Sequence, residues 1–221
     1  AILQRSAFEF GKLPIEIRQR MEKVFGDEVS PEEAVARIIA DVREKGDAAL
    51  FDYTERIDGV ALQSLEVSKE EIREAYGKVE QELISALGIA AERVRSFHHI
   101  QLDHSLSQFM EGGLGQIVRP LERVGLYVPG GAACYPSTVL MTAIPARVAG
   151  VEEVILTTPP REEGRVPPAT LVAADMAEVD RVFKVGGAQA VAALAFGTES
   201  IPRVDKVCGP GGLFVVLAKK M

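Results

Sequence analysis

The chain has no tryptophan, two cysteines and three histidines among its 221 residues. Two cysteines, Cys134 and Cys208, cannot build a disulfide framework, which points to a reducing compartment and a cytoplasmic location. The histidines are His98, His99 and His104. No two of them stand four apart, the spacing that sets two imidazoles on one helical face, so they do not read as a zinc site by themselves. No apolar run approaches the roughly 18 residues of a membrane span. Residues 1–9 lack the apolar core of a signal peptide, and residue 1 is Ala, not Met. There is no block of Lys and Arg, which argues against nucleic acid as a partner. Neither a P-loop Gly-Lys-Ser/Thr nor a Gly-x-Gly-x-x-Gly fingerprint is present. The nearest approach, Gly209, Gly211 and Phe214, ends in Phe where the third glycine belongs.

What is present is an ordinary globular composition, with 47% hydrophobic and 26% charged residues, and a length that fits one large domain or two of common size. The net charge of −7 is uneven. Residues 1–120 hold 15 basic and 22 acidic side chains, whereas residues 121–221 hold 10 of each. This break suggests two regions, a mainly helical one over 1–122 and an α/β one over 123–221.

The first region carries helix signals. Ser30-Pro-Glu-Glu33 combines a capping hydroxyl, proline at the first helical position and Glu three residues after the cap. Val35, Ile38, Ile39 and Val42 then form one apolar stripe. Gly46 ends that helix and Asp47 starts another, expected to reach about residue 56, with a turn at Asp58-Gly59. A second capping box at Ser68 opens a helical pattern running to about residue 102, with Gly77 and Gly88 as weak points.

From Arg123 the period changes. Short apolar runs at 124–128, 153–157, 181–185 and 204–208 each end in Gly or Pro, with helical stretches expected at 136–149, 167–177, 188–196 and 213–220. Strand, turn and helix repeated four times argue for a parallel sheet covered by helices. All four glycine- or proline-rich turns then fall on the carboxyl edge of the strands, where such sheets bind ligands. Glycine lets backbone approach a ligand closely, and the helix that follows offers free N–H groups to an anion such as a pyrophosphate. Tight turns with no ligand would also use glycine. At this edge Tyr127 either stacks on a planar ring or fills core with its hydroxyl at the rim. Gln189 either binds a cofactor or caps its helix. Cys134 and Cys208 read either as nucleophiles, for which no neighbouring histidine supplies a base, or as small buried residues.

Several long motifs then become recognisable. Arg123-Val-Gly-Leu-Tyr127-Val-Pro-Gly-Gly131, Tyr135-Pro-Ser-Thr-Val-Leu-Met141 and Ile144-Pro-Ala-Arg-Val-Ala-Gly150 closely resemble the bacterial histidinol dehydrogenase family. So do Lys184-Val-Gly-Gly-Ala-Gln-Ala190, Ala195-Phe-Gly-Thr198 and Val204-Asp-Lys-Val-Cys-Gly-Pro-Gly211. Asp41-Val-Arg-Glu-Lys-Gly-Asp47, Phe51-Asp-Tyr-Thr54 and Phe97-His-His-Ile-Gln101 extend the match through the first region. The resemblance implies a two-step, NAD-dependent oxidation of L-histidinol to L-histidine with a bound zinc, a homodimer, and an incomplete Rossmann-like, three-layer sheet akin to the aldehyde dehydrogenase fold. It assigns cofactor contacts to Tyr127, to Gln189 and to the position of Gly212, where the family usually has Asn. Ser137 is a further candidate in the loop facing the implied nicotinamide region. The family's catalytic and zinc motifs come later than its Gly-Pro-Gly turn and have no counterpart here, so no catalytic or metal-binding residue is expected in this chain. The expected reading is the first half of such an enzyme. The alternative is a catalytically inactive, nucleotide-binding or dimerising paralogue.

Overall fold

A computed structural model describes residues 14–26, 28–105, 108–130 and 134–221. Gly131 of the first motif and the residues preceding 14 lie outside them.

The first region folds as helices α1 (Ile15–Phe25), α2 (Pro31–Lys45), α3 (Asp47–Tyr53), α4 (Lys69–Tyr76) and α5 (Gln81–Asp103). Both capping boxes form. Ser30 Oγ accepts from Glu33 N while the Glu33 carboxylate accepts from Ser30 N, and Ser68 and Glu71 repeat the pattern. The expected second helix is shorter than read. It ends as α3 at Tyr53 and passes into a π-helical turn, Thr54–Asp58, closed by Gly59. The single helical pattern after Ser68 is also two helices. Gly77 N and Lys78 N bond back to Glu74 O and Ala75 O, closing α4. The break lets α4 pack on α7 while α5 crosses α6. Gly88 is tolerated inside α5. Helix α1 and a small antiparallel hairpin, β1 (Phe109–Glu111) with β2 (Leu114–Gln116), come in addition to the expected elements.

The second region supplies β3 (Arg123–Tyr127), α6 (Pro136–Val148), β4 (Glu153–Thr157), α7 (Pro168–Met176), β5 (Arg181–Phe183), α8 (Gly187–Phe196), β6 (Lys206–Cys208) and α9 (Leu213–Lys220). The last two strands are shorter than the apolar runs that announced them. The four strands form one parallel sheet in the order β5-β4-β3-β6. Side chains alternate between its faces. Val124, Leu126, Val154, Leu156 and Val182 enter a core with α4, α5, α6 and α7. Tyr127, Ile155 and Phe183 enter the other core, with α2, α3, α8 and α9. The architecture is three layers, α/β/α, and each core draws residues from both sides of position 122.

Ionic and backbone ties fasten the first region to the sheet. Glu66 pairs with Phe183 in a short antiparallel bridge, with Val67 N donating to Val182 O and Lys184 N to Leu65 O. The Arg181 guanidinium grips both Glu66 carboxylate oxygens, at 2.9 and 2.7 Å. Nearby, Glu71 accepts from Lys184 Nζ at 2.7 Å and from Ser68 N at 2.8 Å. At the far end Asp47 N donates to Glu199 Oε2, and Ser200 Oγ donates to Asp47 Oδ2. Partial burial pushes the Glu71 carboxyl up, but the Lys184 and Ser68 bonds outweigh it and hold the group below its ordinary range. A depressed folded value contributes stability above the unfolded value of about 4.3, and that stability is lost as pH falls through the lower folded value.

The substitution Glu71→Gln leaves the nearly buried Lys184 ammonium without its anion. It is expected to cost about 1–3 kcal/mol at pH 7, read as a lower Tm by calorimetry. The gap between variant and parent should begin to shrink below about pH 4.3 and close as pH falls through the lower folded value of Glu71, where the folded parent loses the same charge. A gap independent of pH would show that the pair is not what holds this junction.

Candidate functional site

The strand order sets the place of the site. After β3 the chain builds outward through β4 to β5, then returns across α8 to lay β6 on the opposite side of β3. Helices α6 and α7 therefore cover one face and α8 and α9 the other. Where the order reverses, the loops at the carboxyl ends of neighbouring strands part to opposite faces and leave a crevice. Here it lies beyond the ends of β3 and β6, bordered by the starts of α6, α8 and α9.

Tyr127 is the last residue of β3, 5% exposed. Its ring lies in the core on the α8 side, and its hydroxyl oxygen accepts from Gly187 N at 3.2 Å. Burial pushes the hydroxyl pKa up, the Gly187 N–H draws it down, and the nearby Asp58 carboxylate pushes it up again. The net shift is upward, so the phenol stays neutral at any physiological pH. Asp58 ends the π-helical turn of the first region and carried no signal in the sequence beyond its turn dipeptide.

Gln189, in the first turn of α8, is fully buried, and neither amide atom meets a hydrogen-bond partner among the described residues. An unpaired buried amide costs about 1–3 kcal/mol. The side chain is aimed at the helix entrance, because a Cβ on Gly187 would lie 2.6 Å from Gln189 Oε1. Gly187 has φ +64°, a left-handed conformation that side-chain-bearing residues rarely adopt. Thus Tyr127 and Gln189, far apart in sequence, meet at one residue, Gly187, at the N-terminus of a ten-residue helix.

Gly212 caps α9 with an extended backbone, φ −72° and ψ −173°, and is exposed. Nothing lies within 4 Å of where its Cβ would stand, so an asparagine side chain would meet no obstacle there. The turn before it adjoins Tyr127, since the Tyr127 carbonyl occupies the space of a Gly209 Cβ. Lys219 Nζ closes back on Gly209 O at 2.5 Å. Ser137 is exposed in the first turn of α6, at the rim. Among the described residues it makes no hydrogen bond to the other three candidates.

Cys134 and Cys208 are both half-buried, not enclosed in core. Cys134 Sγ sits 3.1 Å from Thr170 Oγ1, and Cys208 ends β6 beside the crevice. His98 and His99 lie on α5 and His104 caps it. Among the described residues, no three His, Cys, Asp or Glu side chains are grouped so as to hold a metal ion. No helix among them is long and apolar enough to cross a membrane. A groove of about 610 Å³ opens on the opposite face, beside α6. Its walls are mostly apolar, among them Leu102, Val118, Leu121 and Pro145, and it reaches Cys208 but neither Tyr127 nor Gln189. The orphaned polar groups mark the crevice, not this groove, as the candidate site.

Comparisons with known proteins bear on this arrangement. Residues 22–221 match the family model described as histidinol dehydrogenase. Histidinol dehydrogenase from Dehalococcoides mccartyi strain 195 is 58% identical over 194 residues, 87% of this chain and 44% of the relative. That of Deinococcus radiodurans is 52% identical, covering 96% of this chain and 49% of the relative. A crystal structure of histidinol dehydrogenase from Elizabethkingia anophelis superposes with a TM-score of 0.81 at 33% identity, over 94% of this chain and 49% of that one. The chain spans about half the length of the curated relatives it matches. On motif, identity and fold together, the chain belongs to the histidinol dehydrogenase family.

Proposed function

We propose that the crevice between β3 and β6 is the NAD site of a histidinol dehydrogenase, and that this chain is the cofactor-holding half of an oxidoreductase that converts L-histidinol to L-histidine in histidine biosynthesis. The observation that carries the reading is Gln189, whose buried amide has no partner among the described residues and faces a helix N-terminus. A dinucleotide offers what that place lacks. Its pyrophosphate suits the first N–H groups of α8, which have no acceptor within the helix. Its polar edges suit an amide with a free donor and a free acceptor.

In this reading Gln189 orients the dinucleotide, and Tyr127, neutral and braced by Gly187 N–H, forms the wall beside it. Gly212 leaves backbone only where relatives of the resembling pattern place an amide. Ser137 is proposed as a rim contact. NAD, when bound, supplies the acceptor for hydride. Proton transfer requires a base with pKa near the working pH, and polarising the alcohol oxygen requires a cation or a strong donor. No described residue at the crevice is assigned to either task. Among the described residues no three His, Cys, Asp or Glu side chains are grouped to hold the family's zinc, and no step is assigned to it here. Homodimer formation and a cytoplasmic setting belong to the same proposal.

A second reading, a nucleotide-binding module without catalysis, is favoured by Gly212 standing where the family usually has Asn. Calorimetric titration of the chain with NAD separates the two. Tight binding that needs no zinc favours the module, and absence of binding favours a half that works only with the rest of the enzyme.

Three outcomes are expected. Gln189→Leu removes an unpaired amide, so Tm should hold or rise while NAD affinity drops at least tenfold; a joint fall would make Gln189 a structural residue. Gly212→Asn restores a side-chain amide in open space at a position that favours asparagine. It should tighten NAD by about fivefold, the worth of one ordinary hydrogen bond. The 221-residue chain supplied with histidinol, NAD and zinc should show no turnover above a heat-killed control, and measurable NADH would place catalytic residues inside it.

A further inference from the structure

We infer that Pro159 is a positioning residue that sets the width of the crevice, a role that rests on reading the crevice as the NAD site. Pro159 follows β4, the strand between β3 and β5, just past the carboxyl edge. The ladder holds it in place, because Val128 N donates to Thr157 O and Thr158 N to Phe183 O on either side of β4. Two glycine backbones, from two different turns, close on its ring. The Cβ of any residue at position 130 would collide with Pro159 Cγ, and a Cβ at position 186 would lie 2.5 Å from Pro159 Cβ and 3.1 Å from its Cα.

Neither glycine has a left-handed backbone, so conformation does not require glycine at either place. Space does. Gly130 lies on the loop that leads from Tyr127 into α6. Gly186 is the cap of α8, one residue before the N–H that holds the Tyr127 hydroxyl and three before Gln189. The pyrrolidine ring therefore stands as a strut between the wall that carries Tyr127 and the helix that carries Gln189. A ring has no rotamers to lose and fixes its own φ, so the spacing is rigid. Any residue with free side-chain torsions would let the two turns approach or part, and the two cofactor contacts would fall out of register.

The two contacts differ in a way that makes the strut testable. Gly130 meets Cγ most closely, whereas Gly186 meets Cβ at 2.5 Å, with Cα and Cγ both at 3.1 Å. Pro159→Ala deletes Cγ and keeps Cβ, so it should make room at one glycine and not at the other. The experiment measures NAD dissociation constants by calorimetry, and Tm, for the parent chain, Pro159→Ala, Gly130→Ala, Gly186→Ala and the two doubles with Pro159→Ala. Pro159→Ala alone is expected to weaken NAD fivefold to tenfold. Gly130→Ala should weaken it more than tenfold in the parent and less than twofold in the Pro159→Ala background. Gly186→Ala should do equal harm in both. If Gly130→Ala does not fold, folding of its double with Pro159→Ala is the same rescue, and failure of both overturns the strut. Equal cost of Gly130→Ala in the two backgrounds overturns it as well, as does a Pro159→Ala chain with lowered Tm and unchanged NAD affinity. If the parent chain binds no NAD by itself, the site needs the rest of the enzyme to be complete, and the NAD measurements cannot decide the strut. The strut is then decided by the Tm cycle, where coupling at Gly130 without coupling at Gly186 supports it and additivity at both sinks it.

Discussion

A parallel sheet has to be buried on both faces, and that requirement organises the rest of this molecule. Four crossover helices are too few to bury both faces of β3 to β6. Helices α6 and α7 cover one face and α8 and α9 the other, and each layer is completed by helices from the acidic first region. The −7 charge of that region is thus the wet outer surface of layers whose inner surfaces are apolar. The break in charge at about residue 120 marks a change of period and not a seam in the packing. The ties at Glu66, Glu71 and Asp47 hold the added layers in register with the strands.

The same requirement positions the candidate site. Covering both faces forces the chain to reverse its strand order at β3, and the reversal brings the β3 and β6 ends, with the helix that joins β5 to β6, to one edge. Tyr127 and Gln189 meet there because β3 lies beneath α8. The Tyr127 hydroxyl and Gly187 N–H form the visible joint between them.

Much of this was legible in the sequence, for identifiable reasons. The four strands announce themselves because a doubly covered strand is apolar throughout, and each here runs into Gly or Pro. Helix α2 is legible from its capping box and stripe. The hairpin β1–β2 is not, because its strands are three residues long and almost wholly exposed, which leaves no alternation to read. The break after Gly77 shows in the sequence only as a weak point, because α5 starts at Gln81 behind Glu80 with no side-chain cap, and it packs against α6. At the site, Tyr127, Gln189 and Gly212 came from resemblance to a family. Their meeting at Gly187, the approach of Asp58 and the wedge of Pro159 depend on which strands become neighbours, which no local pattern encodes. The half-buried cysteines differ from the enclosed residues that their small size suggested, since both stand at strand or helix ends, where packing thins.

The short bridge at Glu66 has a consequence for association. Backbone at Leu65 and Val67 occupies the outer hydrogen-bonding side of β5, so the chain blunts that margin of its own sheet. The opposite margin, along β6, pairs with no strand among the described residues and is defended only by its brevity and the exposed Lys206. Unpaired strand margins are where foreign strands and aggregates take hold. The sheet is therefore polarised, with one margin sealed from within and one able to lengthen, and the growing margin is the one beside the crevice.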